Sequence, residues 1–123
     1  MLNATEKLIT TWENVEFESS SVKTEQFKKF SREFKKAIKT QTEAKFELIG
    51  YSVGHFEVSG FLRSKSQPEK YLYFSTSDVR SSQPRWCNDI LIRTAAHEKD
   101  YRGGHNQFTT LRNFSEQATD LID

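Results

Sequence analysis

Residues 93–106 read RTAAHEKDYRGGHN and gather imidazole, carboxylate, ammonium and guanidinium groups in one short stretch. Such a set is raw material for acid–base chemistry, and loops that follow strands often carry active sites. With Asp78 added, Glu98 and Asp100 offer carboxylates for a divalent metal, Lys99 stands between them, and a histidine completes a conceivable hydrolytic centre. The spacing argues against it. His97 and His105 are eight positions apart, which is neither a His-Glu-x-x-His helix nor a zinc-finger interval. Gly103-Gly104 is followed by His105-Asn106 rather than Lys-Ser or Lys-Thr, so it is no phosphate-binding loop. Paired glycines more simply allow a tight turn with positive φ. Cys87 is the one cysteine, which excludes an intrachain disulfide and a multi-thiolate zinc site. Next to Trp86 and just ahead of an apolar strand, it reads as a buried, inert thiol. No catalytic set, metal ligand set or cofactor is assigned. The plainer expectation is a structural loop in which Asp78, Arg80, Arg93, Asp100 and Arg102 form ion pairs and hydrogen bonds.

Two further sets suggest binding instead. Lys28, Lys29, Arg32, Lys35, Lys36 and Lys39 recur at helical spacing and predict a basic face. Such a face either tracks phosphates by releasing counterions or simply solvates the helix. No aromatic is interleaved among these cations, so stacking on bases is not expected there. The second set is the outward row of the predicted strands: His55, Glu57, Phe61, Tyr71, Tyr73 and Arg93. Tyr and Arg are frequent anchors of protein interfaces. The competing expectation is that the C-terminal loop and helix fold over this face, since sheets apolar on both sides are usually covered on both.

The elements that must position these groups are legible in the periodicity. Asn3 and Glu6 have the spacing of a capping box, and Leu8, Ile9, Trp12 and Val15 share a stripe, which predicts a helix over 4–15. Residues 16–21, with three consecutive serines, predict a linker. Thr24 is expected to cap a helix with Glu25 in its first turn, and Phe27, Phe30, Phe34, Ala37 and Ile38 are expected to face away from the cations. From residue 44 the period changes from 3.6 to 2. Phe46 and Leu48, then Phe56, Val58, Gly60 and Leu62, then Leu72 and Phe74, then Ile90 and Ile92 predict four strands. The turns at 53–54 and 65–69 make neighbours antiparallel, and 81–84 is a longer connection. Asn113 and Glu116 again have capping-box spacing, ahead of a closing helix over 113–122. Helices at both ends and strands between them predict an α+β two-layer sandwich with about four antiparallel strands.

A length of 123 residues suits one domain spanning 1–123, and 13% aromatic content supplies the area to fold it. A net charge of +1 gives no whole-molecule field for polyanions, so such a partner needs a local patch. No run of apolar residues reaches the roughly 20 needed to span a bilayer, and the N-terminus lacks a signal-peptide pattern. A cytoplasmic setting without membrane contact is expected.

Three segments carry a resemblance: 55–61, HFEVSGF; 73–80, YFSTSDVR; and 90–111, ILIRTAAHEKDYRGGHNQFTTL. Together they resemble small proteins of phages and other bacterial mobile elements, across about half of the chain. The N-terminal part, with its basic helix, is not covered. The resemblance implies an accessory protein that binds and blocks host machinery, a restriction or CRISPR complex, as an anti-CRISPR protein does. The expected partner is a host protein or ribonucleoprotein, with nucleic acid as an alternative. The residues expected to meet it are the six cations named above together with Phe61, Tyr71, Tyr73, Arg93 and Arg102.

Overall fold

A computed structural model describes residues 3–17, 25–80 and 85–123. The expected cap at Thr24, most of the serine-rich linker and the connection 81–84 lie outside the described residues. The first helix, α1 (Ala4–Trp12), starts where predicted: the Asn3 side chain accepts the Glu6 N–H at 2.8 Å. It ends three residues earlier than its stripe suggests, and Val15 instead closes a turn onto the Trp12 carbonyl. The second helix, α2 (Glu25–Thr42), has the expected two faces: Phe27, Phe30, Phe34, Ala37 and Ile38 are fully buried. Their burial drives the helix onto the sheet, each large side chain contributing about 1.5–3 kcal/mol.

The sheet has five antiparallel strands in chain order: β1 (Phe46–Val53), β2 (Val58–Ser64), β3 (Tyr71–Ser75), β4 (Ile90–Ala95) and β5 (Gln107–Thr109). A one-turn helix, α3 (Arg85–Asn88), precedes β4, and α4 (Phe114–Ile122) closes the described chain. The α+β sandwich is as expected, with one strand more. Three residues are too few to show an alternation, which is why β5 escapes a reading by period.

The described helices lie on one side of the sheet. Phe27 meets Phe56 (5.1 Å between ring centres), Phe30 meets Trp86 (5.0 Å), and Phe74 of β3 meets Phe114 of α4 (5.3 Å). Gly60 of β2 makes room for Phe74: a Cβ there would stand 2.5 Å from the Gly50 carbonyl and 2.8 Å from the ring. Two local readings change. Phe56, which the alternation places in a strand, sits in the β1–β2 turn at φ 61°, with its ring buried. Phe17, inside the predicted linker, is also core: it stacks on Trp12 at 5.5 Å. In both cases burial of a large ring outweighs the local preference.

The closing helix starts as predicted but not by the predicted cap. The Asn113 side chain makes no capping bond; Gln41 of α2 accepts the Ser115 N–H at 2.6 Å instead. The Gln41 amide also donates to Thr5 Oγ1 and to the Leu111 carbonyl, both at 2.9 Å. One side chain thereby ties α1, α2 and the entry to α4.

Candidate binding face

Among the described residues, no helix packs on the far side of the sheet. Alternation puts Arg93, Tyr73 and Phe61 in one cross-strand row on that side, since β4 pairs Arg93 with Tyr73 and β2 pairs Phe61 with Tyr73. The Arg93 guanidinium lies 4.6 Å over the Tyr73 ring, and Phe61 packs beside it at 5.1 Å. Both Phe61 and Arg93 are only 4% exposed, and Phe61 stands apart from the main core cluster. The expected cover is half right. A loop, residues 96–106, crosses this face, while α4 packs on the other one through Phe114.

That loop is pinned by its own charges. The Asp100 carboxylate accepts the backbone N–H groups of Ala96 (2.8 Å), Arg102 (3.1 Å) and Gly103 (3.0 Å). These donors, Ala96 foremost, hold its carboxyl below the usual range. Arg93 donates to the carbonyls of Asp100 (2.6 Å) and Thr94 (3.1 Å), clamping the loop from beneath. Lys99 and Gly104 take positive φ, 70° and 69°, to close the turn, and a Cβ on Gly104 would strike the Thr94 carbonyl. The stretch is thus an ordered loop held by hydrogen bonds, with two departures from the expected set: Arg93 bonds carbonyls rather than a carboxylate, and the Arg102 side chain is exposed.

The result is a supported aromatic. Tyr101 sits edge-on to Phe61 (5.5 Å) and Tyr73 (5.9 Å), yet is 62% exposed. Phe108 of β5, opposite Leu91, lies on the same side of the sheet and is 61% exposed. Next to Tyr73, Ser52, Val53, Glu57, Ser59 and Ser75 line a depression of about 180 Å³. Of the partner-binding residues expected from the sequence, Tyr71, Tyr73, Arg93 and Phe61 share this side, with Arg102 in the loop above them. Tyr71 and Tyr73 are half-buried and offer edges. Phe61 and Arg93 are buried beneath the 96–106 loop, Phe61 against Tyr101 and Arg93 on the Asp100 carbonyl. His55 and Glu57 are exposed in the β1–β2 turn. Tyr101 and Phe108 are the exposed rings on this side that the periodicity misses. The signal for Tyr101 is its place inside Asp100-x-x-Gly103, a turn in which the aspartate bonds its own backbone.

The six cations of α2 are all exposed and lie on the opposite side of the molecule from Tyr101. The carboxylates of a conceivable hydrolytic centre are not brought together. Asp78 lies beyond the Ser75 end of β3, whereas Glu98 and Asp100 follow the end of β4 that pairs with Tyr71. Those ends are about 14 Å apart along the strands. Asp78 is engaged by Arg80 (2.8 Å), which holds its carboxyl below the usual range. No group of three or more His, Cys, Asp or Glu side chains could hold a metal among the described residues. Burial pushes the Cys87 thiol up to about 11, as an inert core residue requires. A cavity of about 280 Å³ lies between Lys45, Phe46, Lys65 and Ile122, and its Lys65 ammonium is turned onto the Glu43 carbonyl at 2.5 Å. No helix among the described residues is long and apolar enough to cross a membrane. Compared with protein-family models, curated proteins and solved structures, the chain matches none.

Proposed function

We propose that this chain acts by binding and occluding a macromolecular partner, through the side of the sheet that Tyr101 crowns. The observation that carries the reading is a ring 62% exposed on a loop that needs no further ordering. Interfaces draw most of their energy from a few aromatic and arginine anchors, and an anchor held in place before contact saves about 0.5–1.5 kcal/mol of side-chain ordering. Tyr101 has that support from Phe61 and Tyr73, while Phe108 and the depression beside Tyr73 give shape around it.

The resemblance of 55–61, 73–80 and 90–111 to mobile-element proteins selects the partner. It is a host defence nuclease complex, blocked as an anti-CRISPR protein blocks its target. The same segments supply Phe61, Tyr73, Arg93, Tyr101 and Phe108, so the resembling part of the chain is the part that builds this face. The test is a DNA-cleavage assay with purified restriction and CRISPR effectors from the host. The parent protein should stop cleavage by one of them, and Tyr101→Ala, an exposed substitution, should need at least about tenfold more protein for the same block. Full inhibition by Tyr101→Ala, or no inhibition of any effector by the parent, would sink the reading.

A further inference from the structure

The charges of this molecule are unevenly placed. The chain is only +1 overall, yet α2 carries six cations against two carboxylates, Glu25 and Glu33. Neither carboxylate neutralises the strip. Glu33 turns aside to accept the Trp12 indole N–H at 3.2 Å, and Glu25 sits at the helix start, 3.6 Å from Lys28 alone. Lys29, Arg32, Lys36 and Lys39 have no carboxylate partner among the described residues, and Lys35 hovers 5.7 Å over the Tyr51 ring. We infer that the outward face of α2 is a docking strip for the phosphate backbone of duplex nucleic acid, bound without regard to sequence.

Three features select that occupant. Lys28, Arg32, Lys35 and Lys39 follow one another at three- and four-residue steps, each a rise of about 4.5–6 Å along a straight helix. That periodic line of cations suits the regular row of charges along a nucleic-acid strand. A single strand is gripped by stacking its bases on aromatic rings; among the described residues no exposed ring stands among these cations, and Tyr51 beneath Lys35 is half-buried, its hydroxyl donating to the Ser31 carbonyl. An anionic membrane takes amphipathic helices by their apolar face, and here Phe27, Phe30, Phe34, Ala37 and Ile38 are wholly enclosed in the core. Point charges without anchors or base-reading groups leave the duplex backbone.

The inference goes beyond the occlusion proposed above, because α2 and Tyr101 lie on opposite sides of the sheet. Fluorescence anisotropy with a labelled mixed-sequence DNA duplex tests it across a salt series. Binding should weaken steeply with salt, by about 0.9 in the log–log slope for each phosphate contacted, and should not depend on sequence. Combined Lys28→Gln, Lys35→Gln and Lys39→Gln should lower affinity at least tenfold and make the slope shallower by about three. Charge reversal to Glu at the same exposed positions should abolish binding, with circular dichroism reporting an intact fold for both variants. Tyr101→Ala should bind the duplex like the parent, so this result and the cleavage result succeed or fail separately. The inference is overturned by absence of binding at low salt or by a glutamine variant that binds as tightly as the parent. Stronger binding to single strands, or to phosphatidylcholine vesicles containing phosphatidylserine, overturns it equally.

Discussion

The Asp100 carboxylate does with three backbone N–H bonds what a longer loop would need several side chains to do: it fixes residues 96–103 in one conformation. Those bonds favour the ionised form, so the folded carboxyl titrates below an ordinary aspartate. The stability this contributes is fully present above the unfolded value of about 3.9 and is lost as pH falls through the lower folded value. The loop should therefore hold at neutral pH and loosen only in acid. In an NMR titration, the amide signals of Ala96, Arg102 and Gly103 should move together below about pH 4. Asp100→Asn should remove that common transition and shift all three amides at neutral pH. Unchanged amides in the Asn variant would refute the assignment.

At the scale of elements, the helices are fastened to one another by few polar contacts, and Gln41 makes three of them. Its carbonyl supplies the cap that Asn113 does not, satisfying a helix N–H that would otherwise face the core edge without a partner. Gln41→Ala should destabilise the fold by about 1–3 kcal/mol, the range for losing partly buried hydrogen bonds and leaving their partners unmet. Urea denaturation should show a lower midpoint with an unchanged slope, because no surface is newly exposed. An Ala variant as stable as the parent would mean that water replaces all three bonds. The Glu6–Arg112 pair is a weaker tie between the same regions: it lies at 2.8 Å but is exposed, where ion pairs contribute little.

Over the whole molecule, Phe30 is the junction. Its ring touches Trp12 at 5.7 Å, Phe17 at 5.1 Å, Phe27 at 6.2 Å, Phe34 at 5.8 Å and Trp86 at 5.0 Å, so it joins α1, the segment after it, α2 and α3. Phe30→Ala should cost about 3–5 kcal/mol, through lost transfer energy and the cavity left behind. Domains of this size have only about 5–15 kcal/mol in total, so thermal unfolding should remain one transition but start at a much lower temperature. A loss below about 1 kcal/mol would mean that the aromatic cluster collapses to fill the space. The layered arrangement also explains why two surfaces are exposed among the described residues. The described helices lie on one side of the sheet, the 96–106 loop crosses the other, and the basic strip of α2 faces outward.

Sequence alone determined the features that depend on near neighbours. The two faces of α2, the cap at Asn3, the strands holding Leu62, Leu72 and Ile92, and the α+β class all follow from repeats of 3.6 or 2, or from groups three residues apart. The six cations of the helix were legible for the same reason. Tertiary structure alone decided the rest: β5 against β4, Phe17 and Phe56 in the core, Gln41 as the cap of α4, and Tyr101 over Phe61 and Tyr73. Each of these joins residues distant in the chain, or overrules a local preference by burying a ring, and neither leaves a period in the sequence. The proposed binding face belongs to this second kind: the Asp100 turn that carries Tyr101 is local, but the ring's place over Phe61 and Tyr73 depends on aromatics from two distant strands.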